Sequence, residues 1–217
     1  MNITSGALLT DLYELTMAQA YLAQGMTDIA VFEFFVRKLP PQRNFFMAAG
    51  LEQVLNYLEE FQFSDADIAW LDQTGGFSAS SLDALRAMRF TGEGHAMPEG
   101  SLFFPHEPIL RITAPLPQAQ LVETRVMNLL NFQTMVASKA CRSVLVAGDK
   151  PLIDFGLRRA HGAEAGLLAA RAAYLAGLAG TSPDDWDATM AANLRGHFLV
   201  ARAAVEVLSE NGTGDGG

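Results

Sequence analysis

Hydrophobic positions recur along the first part of the chain with two different periods. At helical spacing they predict a helix that Thr10 caps and that runs to about Ala23. From residue 29 to residue 39 the period changes to two, which predicts a strand that Pro40 ends. Three helices are then expected at about 47–60, 64–73 and 81–88. A capping box, Ser64 followed by Asp67, marks the start of the second of them.

Glycine and proline divide the middle of the chain into short strands, after which one long helix is predicted. The strands are expected at 94–97, 101–104 and 109–113. Residues 118–147 carry apolar side chains at helical spacing. Residues 151–155 have the pattern of a buried strand, and residues 162–178 that of an alanine-rich helix packed on it. A strand, a polar turn and a helix form the beginning of an α/β unit.

The last part of the chain predicts a separate helix. Residues 182–208 place Trp186 at the start of an apolar stripe about seven turns long, and residues 211–217 form a flexible end. The predicted fold is therefore α+β. Its expected parts are N-terminal helices with an antiparallel sheet (1–117), a truncated start of an α/β barrel (118–182) and a foreign helical tail with a disordered end (183–217).

Composition narrows the classes of function. Half of the 217 residues are hydrophobic and 18% are charged, which indicates a packed core. The formal net charge of −9 and the lack of a basic run argue against a nucleic-acid partner or an anionic membrane surface. Cys141 is the only cysteine, so an intrachain disulfide is excluded and a reducing compartment fits. No signal peptide or membrane span is predicted, and we expect a cytoplasmic protein.

The first candidate for chemistry is the start of the first helix. Asp11 and Glu14 lie in its first turn, where carboxylates favour the positive end of the helix dipole. Tyr13 points away from the apolar side and offers a flat face that can stack on a planar ring. Spacing alone favours the plainer interpretation, an amphipathic helix start with a surface tyrosine.

The second candidate is the turn between the predicted strand at 151–155 and the next helix. It presents Arg158, Arg159 and His161 together with free backbone N–H groups. Helix N-termini and arginine side chains both suit a phosphate group. A solvated basic loop has the same composition, and spacing does not decide between the two interpretations.

Residues 10–182 resemble the N-terminal portion of a nicotinate phosphoribosyltransferase. Six segments occur in the family's order: TDLYELTMAQAY (10–21), AVFEFFVRKLPPQRNF (30–45), AAGLEQVLNYLEEF (48–61), PEG (98–100), QLVETRVMNLLNFQT (120–134) and DFGLRRAHG (154–162). The resemblance implies formation of nicotinate mononucleotide from nicotinate and phosphoribosyl pyrophosphate in NAD salvage. It also implies coupling to ATP hydrolysis, assistance by Mg²⁺, and a dimer.

The resemblance also suggests roles for individual residues. The family's nicotinate-contacting tyrosine falls on Tyr13, with Asp11 beside it, in a segment that completes the active site of a neighbouring subunit. Arg158 falls on a residue of the phosphoribosyl pyrophosphate site, and Arg159 and His161 are further substrate-binding candidates. No catalytic residue or metal ligand is assigned, and no bound cofactor is expected for this chain.

The resemblance ends at about residue 182. The histidine that the family phosphorylates lies beyond that point in its members, and none of the four histidines here stands in its motif, so we expect this chain to be inactive. Residues 184–207 instead resemble an internal helix of the short-chain dehydrogenase/reductase family, through Trp186 and Asn193-Leu194-x-Gly196-x-Phe198. Two alternatives stay open: a non-catalytic truncated or fused remnant that acts at most as an association module, and a dehydrogenase fragment.

Overall fold

The computed structural model describes residues 6–150 and 152–178, which belong to one compact unit that ends at Leu178. The predicted helix at 182–208, the dehydrogenase-like segment at 184–207 and the end at 211–217 lie outside the described residues.

The described residues form helices and short antiparallel strands, which confirms the predicted α+β class. In chain order the elements are α1 (Leu12–Ala23), β1 (Ile29–Phe34), β2 (Phe46–Met47), α2 (Leu51–Glu59), α3 (Asp65–Thr74), α4 (Ala79–Ala87), β3 (Glu93–Ala96), β4 (Leu102–Phe103), β5 (Leu110–Pro115), α5 (Leu116–Ala147), a 3₁₀ turn (Leu157–Arg159) and α6 (Ala163–Leu175). The capping box predicted at Ser64 and Asp67 is present at the start of α3.

The larger sheet is antiparallel and has the strand order β1-β5-β3. In β5 the side chains of Leu110, Ile112 and Ala114 are buried and alternate with more exposed ones, as a half-buried strand requires. In β1, Ile29 pairs with Pro115 and the alternation predicted from the sequence is observed. β2 pairs with β4 in a separate two-stranded ladder.

The centre of the unit is α5, a helix of 32 residues that contacts α1, α2, α6 and the strands. Pro117 lies in its first turn, where a proline costs no helix hydrogen bond. Its buried apolar residues include Leu121, Val122, Val126 and Leu129, which join the main hydrophobic core. This helix runs across residue 117, and the domain boundaries expected from the sequence stay predictions.

Several helices begin one to four residues away from their predicted starts, and two of these differences have a clear local cause. The helix expected from residue 47 begins at Leu51, because Gly50 has a φ of 104° and its backbone lies against α5. A Cβ atom at Gly50 would lie 2.7 Å from the carbonyl oxygen of Leu129, so only glycine fits there. The N-cap of α1 is Asp11 rather than Thr10, whose hydroxyl donates to Glu14 instead.

The buried strand expected at 151–155 is wrong for the described residues of that segment. Residues 152–156 form no strand, and Ile153 and Phe155 are 70% and 77% exposed. A strand is stabilised by pairing with a neighbour. Among the residues that the structure describes, no neighbouring strand pairs with this segment. The helix predicted after it does form, as α6.

Candidate functional site

The first candidate, residues 11–14 at the start of α1, is held firmly against α5; we call it the acidic segment. Asp11 is the N-cap, with extended backbone angles, and Glu14 lies in the first turn with no exposed surface. Tyr13 is 48% exposed, so one part of its ring faces solvent while its neighbours are fixed. The expected flat, accessible ring is therefore present.

Glu14 accepts hydrogen bonds from two elements. The Thr10 hydroxyl donates to one of its carboxylate oxygens. The other oxygen accepts from the Tyr13 hydroxyl at 3.3 Å, the Thr124 hydroxyl at 2.9 Å and the Thr124 N–H at 3.2 Å. Burial raises the pKa of Glu14, the hydrogen bonds from Thr10 and Thr124 oppose that rise, and the charge of Glu123 adds to it.

Asp11 joins the same network, since its Oδ2 atom lies 2.7 Å from the Thr124 hydroxyl and shares that group's single hydrogen with Glu14. Partial burial together with the charges of Glu123, Glu14 and Asp11 raises the pKa of Tyr13. Tyr13 therefore stays a neutral hydroxyl at physiological pH, with its ring open to solvent. The acidic segment offers an aromatic face and fixed carboxylates, and it offers no cation.

The second candidate, residues 157–161, lies just before α6; we call it the cationic turn. Asp154 accepts from the Gly156 N–H at 2.7 Å and so shapes the approach to the 3₁₀ turn. Gly162 precedes α6 with a φ of 105° and supplies no side-chain cap, which leaves the first N–H groups of that helix without one.

The cationic turn presents its charges to solvent. Arg158, Arg159 and His161 are all exposed. Within residues 6–150 and 152–178, no hydrogen bond or ion pair engages their side chains. Their donors are thus available to an anion, and anion binding by this turn stays a prediction. Phe155, just before the turn, exposes 77% of its surface and adds an aromatic face that the predicted buried strand would have hidden.

The structure groups the predicted residues into two sets. Asp11 and Tyr13 share one network, and Arg158, Arg159 and His161 share one turn. Among the described residues no hydrogen bond joins the two sets directly. They are connected through α5, where Thr124 binds the acidic segment and Arg125 binds Glu164 of α6 at 2.5 Å.

A small cavity of about 160 Å³ lies beside Arg125. Tyr57 and Gln53 line it, and neither the Tyr57 hydroxyl nor the Gln53 Oε1 atom has a partner among the described residues. Burial, with a further contribution from the charge of Glu14, raises the pKa of Tyr57 strongly. A cavity of this size and polarity has room for ordered water that would satisfy both atoms.

A third polar cluster was missed by the sequence analysis. Glu99 accepts from the N–H groups of Gly50 and Leu51 at 2.6 and 3.1 Å, and from both terminal nitrogens of Arg171 at 2.9 and 2.7 Å. It thereby joins the start of α2 to α6. Burial alone would raise the pKa of Glu99, but the hydrogen bonds from Arg171 and the backbone outweigh it and lower that pKa. The sequence did offer one signal for this cluster, since Glu99 lies in the PEG segment (98–100) of the family pattern.

Metal ligands are a separate question. In the described part of the chain no three His, Cys, Asp or Glu side chains form a group that could hold a metal ion. Nor does any described helix have the length and apolar character needed to cross a membrane.

Comparison with known proteins decides the family. The model of the nicotinate phosphoribosyltransferase (NAPRTase) N-terminal domain matches residues 8–131. The chain belongs to the nicotinate phosphoribosyltransferase family. The match includes the acidic segment and Thr124, and it ends before the cationic turn.

Individual members of the family are similar over most of this chain. A nicotinate phosphoribosyltransferase of Mycobacterium tuberculosis is 53% identical over 177 residues, which are 82% of this chain and 38% of that protein. The Bacillus subtilis nicotinate phosphoribosyltransferase is 43% identical over 177 residues, or 81% of this chain and 36% of that protein. The chain thus spans somewhat more than a third of the length of these relatives.

Solved structures agree with the family assignment. Human nicotinic acid phosphoribosyltransferase superposes with a TM-score of 0.72 at 39% identity, covering 78% of this chain and 35% of that one. A nicotinate-nucleotide pyrophosphorylase from Pyrococcus furiosus has a TM-score of 0.62 at 23% identity over 81% of this chain and 37% of that one, and shows the fold alone.

Proposed function

We propose that this chain supplies substrate-binding segments of a nicotinate phosphoribosyltransferase, which joins nicotinate to the ribosyl group of phosphoribosyl pyrophosphate in NAD salvage. The family match over residues 8–131 is the observation that carries the proposal. The two substrates are those of the nicotinate phosphoribosyltransferases that the chain resembles, and each candidate segment has the chemistry that one of them needs.

Tyr13 is the proposed nicotinate contact. Its half-exposed ring can stack on the pyridine ring, and its neighbours hold it in place. Asp11 and Glu14 would repel the carboxylate of nicotinate, so we place that carboxylate away from them. Following the family arrangement, the site that this segment completes belongs to a neighbouring subunit of a homo-oligomer.

Arg158 is the proposed contact for phosphoribosyl pyrophosphate, with Arg159 and His161 beside it. In the transfer, the pyridine nitrogen bonds to the anomeric carbon and the bond from that carbon to pyrophosphate breaks. Negative charge develops on the departing pyrophosphate, and exposed guanidinium groups and helix N–H groups stabilise such charge. ATP and Mg²⁺ belong to the proposal through the family only.

We further propose that the 217-residue polypeptide, assayed alone, forms no nicotinate mononucleotide. The support is that the chain spans only 38% of its Mycobacterium tuberculosis relative and that we assign it no catalytic residue. Product formation at even a small fraction of a full-length member's rate would contradict this. We propose a cytoplasmic location, because the single cysteine fits a reducing compartment and the family acts in NAD metabolism.

The test is a thermal-shift titration with nicotinate, pyrophosphate and nicotinamide cofactors. Substrate binding predicts stabilisation by nicotinate and pyrophosphate, since a ligand that binds the folded state raises the melting temperature. Stabilisation by nicotinamide cofactors alone would favour the dehydrogenase alternative, whose motif lies outside the described residues. No response to any of them would contradict the proposal.

A second candidate function, an association module, is favoured by the edge strand β1. Ile29 and Val31 are 65% and 58% exposed on it, and a groove of about 720 Å³ lies between β1 and α5. An apolar edge strand of this kind can pair with a second copy of the chain. Sedimentation of the parent and of Val31→Lys tests this: association that the lysine abolishes supports the module, and a monomeric parent excludes it.

A further inference from the structure

Two consecutive residues in the first third of α5 bind the acidic segment and the start of α6, the helix that follows the cationic turn. Thr124 contacts the acidic segment, 110 to 113 positions away in sequence, and Arg125 contacts Glu164, 39 positions away. Successive side chains of an α-helix point about 100° apart, so one turn of α5 reaches α1 on one side and α6 on the other.

Thr124 binds the side chains of two residues that flank Tyr13 in sequence. Its hydroxyl lies 2.7 Å from Asp11 Oδ2 and 2.9 Å from Glu14 Oε1, and its N–H donates to Glu14 Oε1 at 3.2 Å. A shift of this part of α1 along α5 therefore has to break hydrogen bonds on both sides of Tyr13.

Arg125 fixes the start of α6. Its side chain is 6% exposed and binds Glu164 Oε1 at 2.5 Å and Asn128 Oδ1 at 2.8 Å. Glu164 is the second residue of α6 and lies three positions after His161. A displacement of the start of α6, which follows the cationic turn, therefore has to move Glu164 against a buried guanidinium group.

We propose that Thr124 and Arg125 are positioning residues, which set the location of the acidic segment relative to the cationic turn. The inference deepens the proposed function and rests on it. We expect occupation of one segment to change the affinity of the other, because a shift of α1 or of α6 is opposed by contacts to adjacent residues of α5.

Core packing alone does not account for this pair. Leu121, Val122, Val126 and Leu129 already bury the apolar side of α5. Replacement of a buried ion pair by apolar residues is often neutral or stabilising, so stability is weak grounds for an arginine at position 125. Directional contacts to two segments give the pair a role that apolar side chains cannot fill.

The test begins without any ligand. Spin labels are placed at Leu12→Cys, in the exposed first position of α1, and at Ala163→Cys, in the first position of α6, in a Cys141→Ser background. We expect one narrow distance distribution in this parent and a distribution at least twofold wider, or shifted, in Thr124→Val and in Arg125→Met. Thr124→Ser, which keeps the hydroxyl, restores the narrow distribution.

The matched control is Arg111→Ala, which removes an exposed ion pair with Glu33 in the sheet and leaves the distribution unchanged. Circular dichroism establishes that each variant is folded. If Arg125→Met does not fold, Arg125→Lys takes its place. Lysine keeps the charge but has a single nitrogen in place of the two that bind Asn128 and Glu164. Parent-like distributions in the folded Thr124 and Arg125 variants overturn the proposal.

A second measurement separates this proposal from the proposed function. The dissociation constant of nicotinate is measured with and without saturating pyrophosphate. We expect the ratio of the two constants to differ from one in the parent and to move at least threefold towards one in Thr124→Val. If Thr124→Val still binds nicotinate and its ratio of dissociation constants equals that of the parent, the positioning role is overturned. If the spin-label distances widen in the Thr124 and Arg125 variants but the parent binds neither ligand, the proposed function is overturned. The positioning role of Thr124 and Arg125 then still stands.

Discussion

The acidic segment and the cationic turn are both predicted to bind a substrate, but they differ in how their side chains contact the rest of the protein. Glu14 has no exposed surface, and with Asp11 it is bound to Thr124 of α5. Arg158 and Arg159 are exposed, and within the described residues their side chains have no bonded partner. One segment is organised before any ligand arrives, whereas the other presents donors that an anion would organise.

The difference follows from charge and burial. A carboxylate that leaves water must find donors, and Glu14 finds them in neighbouring hydroxyl and N–H groups. Guanidinium groups stay charged at any physiological pH and are costly to bury without an acid, so those of the turn stay in solvent. A ring-binding segment benefits from fixed geometry, and a phosphate-binding turn benefits from free donors.

The largest expected effect is on stability, at Glu14. Glu14→Ala removes the acceptor for Thr10, Tyr13 and Thr124 and should lower the free energy of unfolding by about 3 kcal/mol, since three part-buried donors each lose a hydrogen bond that contributes about 0.5–1.5 kcal/mol. Arg158→Ala should change it by less than about 0.5 kcal/mol, as expected for an exposed side chain. Urea denaturation measures both. Equal losses would remove the distinction between the two segments.

The next effect is on anion binding, at the cationic turn. Arg158→Ala should weaken pyrophosphate binding at least tenfold, because a charge-assisted hydrogen bond contributes roughly 1.5–3 kcal/mol. Arg86→Ala is the matched control, an exposed arginine whose ion pairs lie elsewhere. Titration calorimetry measures the pyrophosphate affinity of the parent, Arg158→Ala and Arg86→Ala. Parent-like affinity in Arg158→Ala would exclude that residue from the site.

A smaller effect separates the ring of Tyr13 from its hydroxyl. Tyr13→Phe loses only the 3.3 Å hydrogen bond to Glu14, so we expect a stability loss of about 0.5–1 kcal/mol and little change in nicotinate affinity. Tyr13→Ala also removes the stacking face and should weaken nicotinate binding several-fold. If Tyr13→Phe binds nicotinate as poorly as Tyr13→Ala, the hydroxyl rather than the ring makes the contact.

The smallest effect is on the pH dependence of stability, to which Glu14 and Glu99 contribute with opposite signs. The pKa of Glu14 is raised on folding, so its contribution to stability is present at acid pH and declines as the pH rises through the folded pKa. The pKa of Glu99 is lowered, so its contribution is present above the unfolded pKa and is lost as the pH falls. Glu14→Gln should therefore be more harmful at pH 4 than at pH 7, and Glu99→Gln the reverse. Parallel pH profiles would contradict this assignment.

Local signals in the sequence were sufficient for several elements. The helix from about residue 10, the capping box at Ser64 and the long helix over 118–147 all have periodicity or capping that needs no distant partner, and each is present. Tyr13 and Arg158 were also placed correctly as accessible side chains, because each stands on the polar side of a local pattern.

Features that depend on distant contacts could not be derived in this way. The strand at Phe46 and Met47 has two residues, too few for a period, and exists because β4 pairs with it. The segment at 151–155 has the apolar pattern of a strand without a neighbour to pair with in the described residues. Glu14 meets Thr124 across 110 positions and Glu99 meets Arg171 across 72, separations that no local pattern encodes.

Nuclear magnetic resonance can show directly whether the acidic segment binds nicotinate and the cationic turn binds pyrophosphate. Isotope-labelled protein is titrated separately with pyrophosphate and with nicotinate while the backbone amides are followed. We predict that pyrophosphate shifts the amides of residues 157–164 in the parent but not in Arg158→Ala, and that nicotinate shifts those of residues 11–14. Shifts confined to other parts of the chain, or equal pyrophosphate shifts in the parent and in Arg158→Ala, would contradict the account.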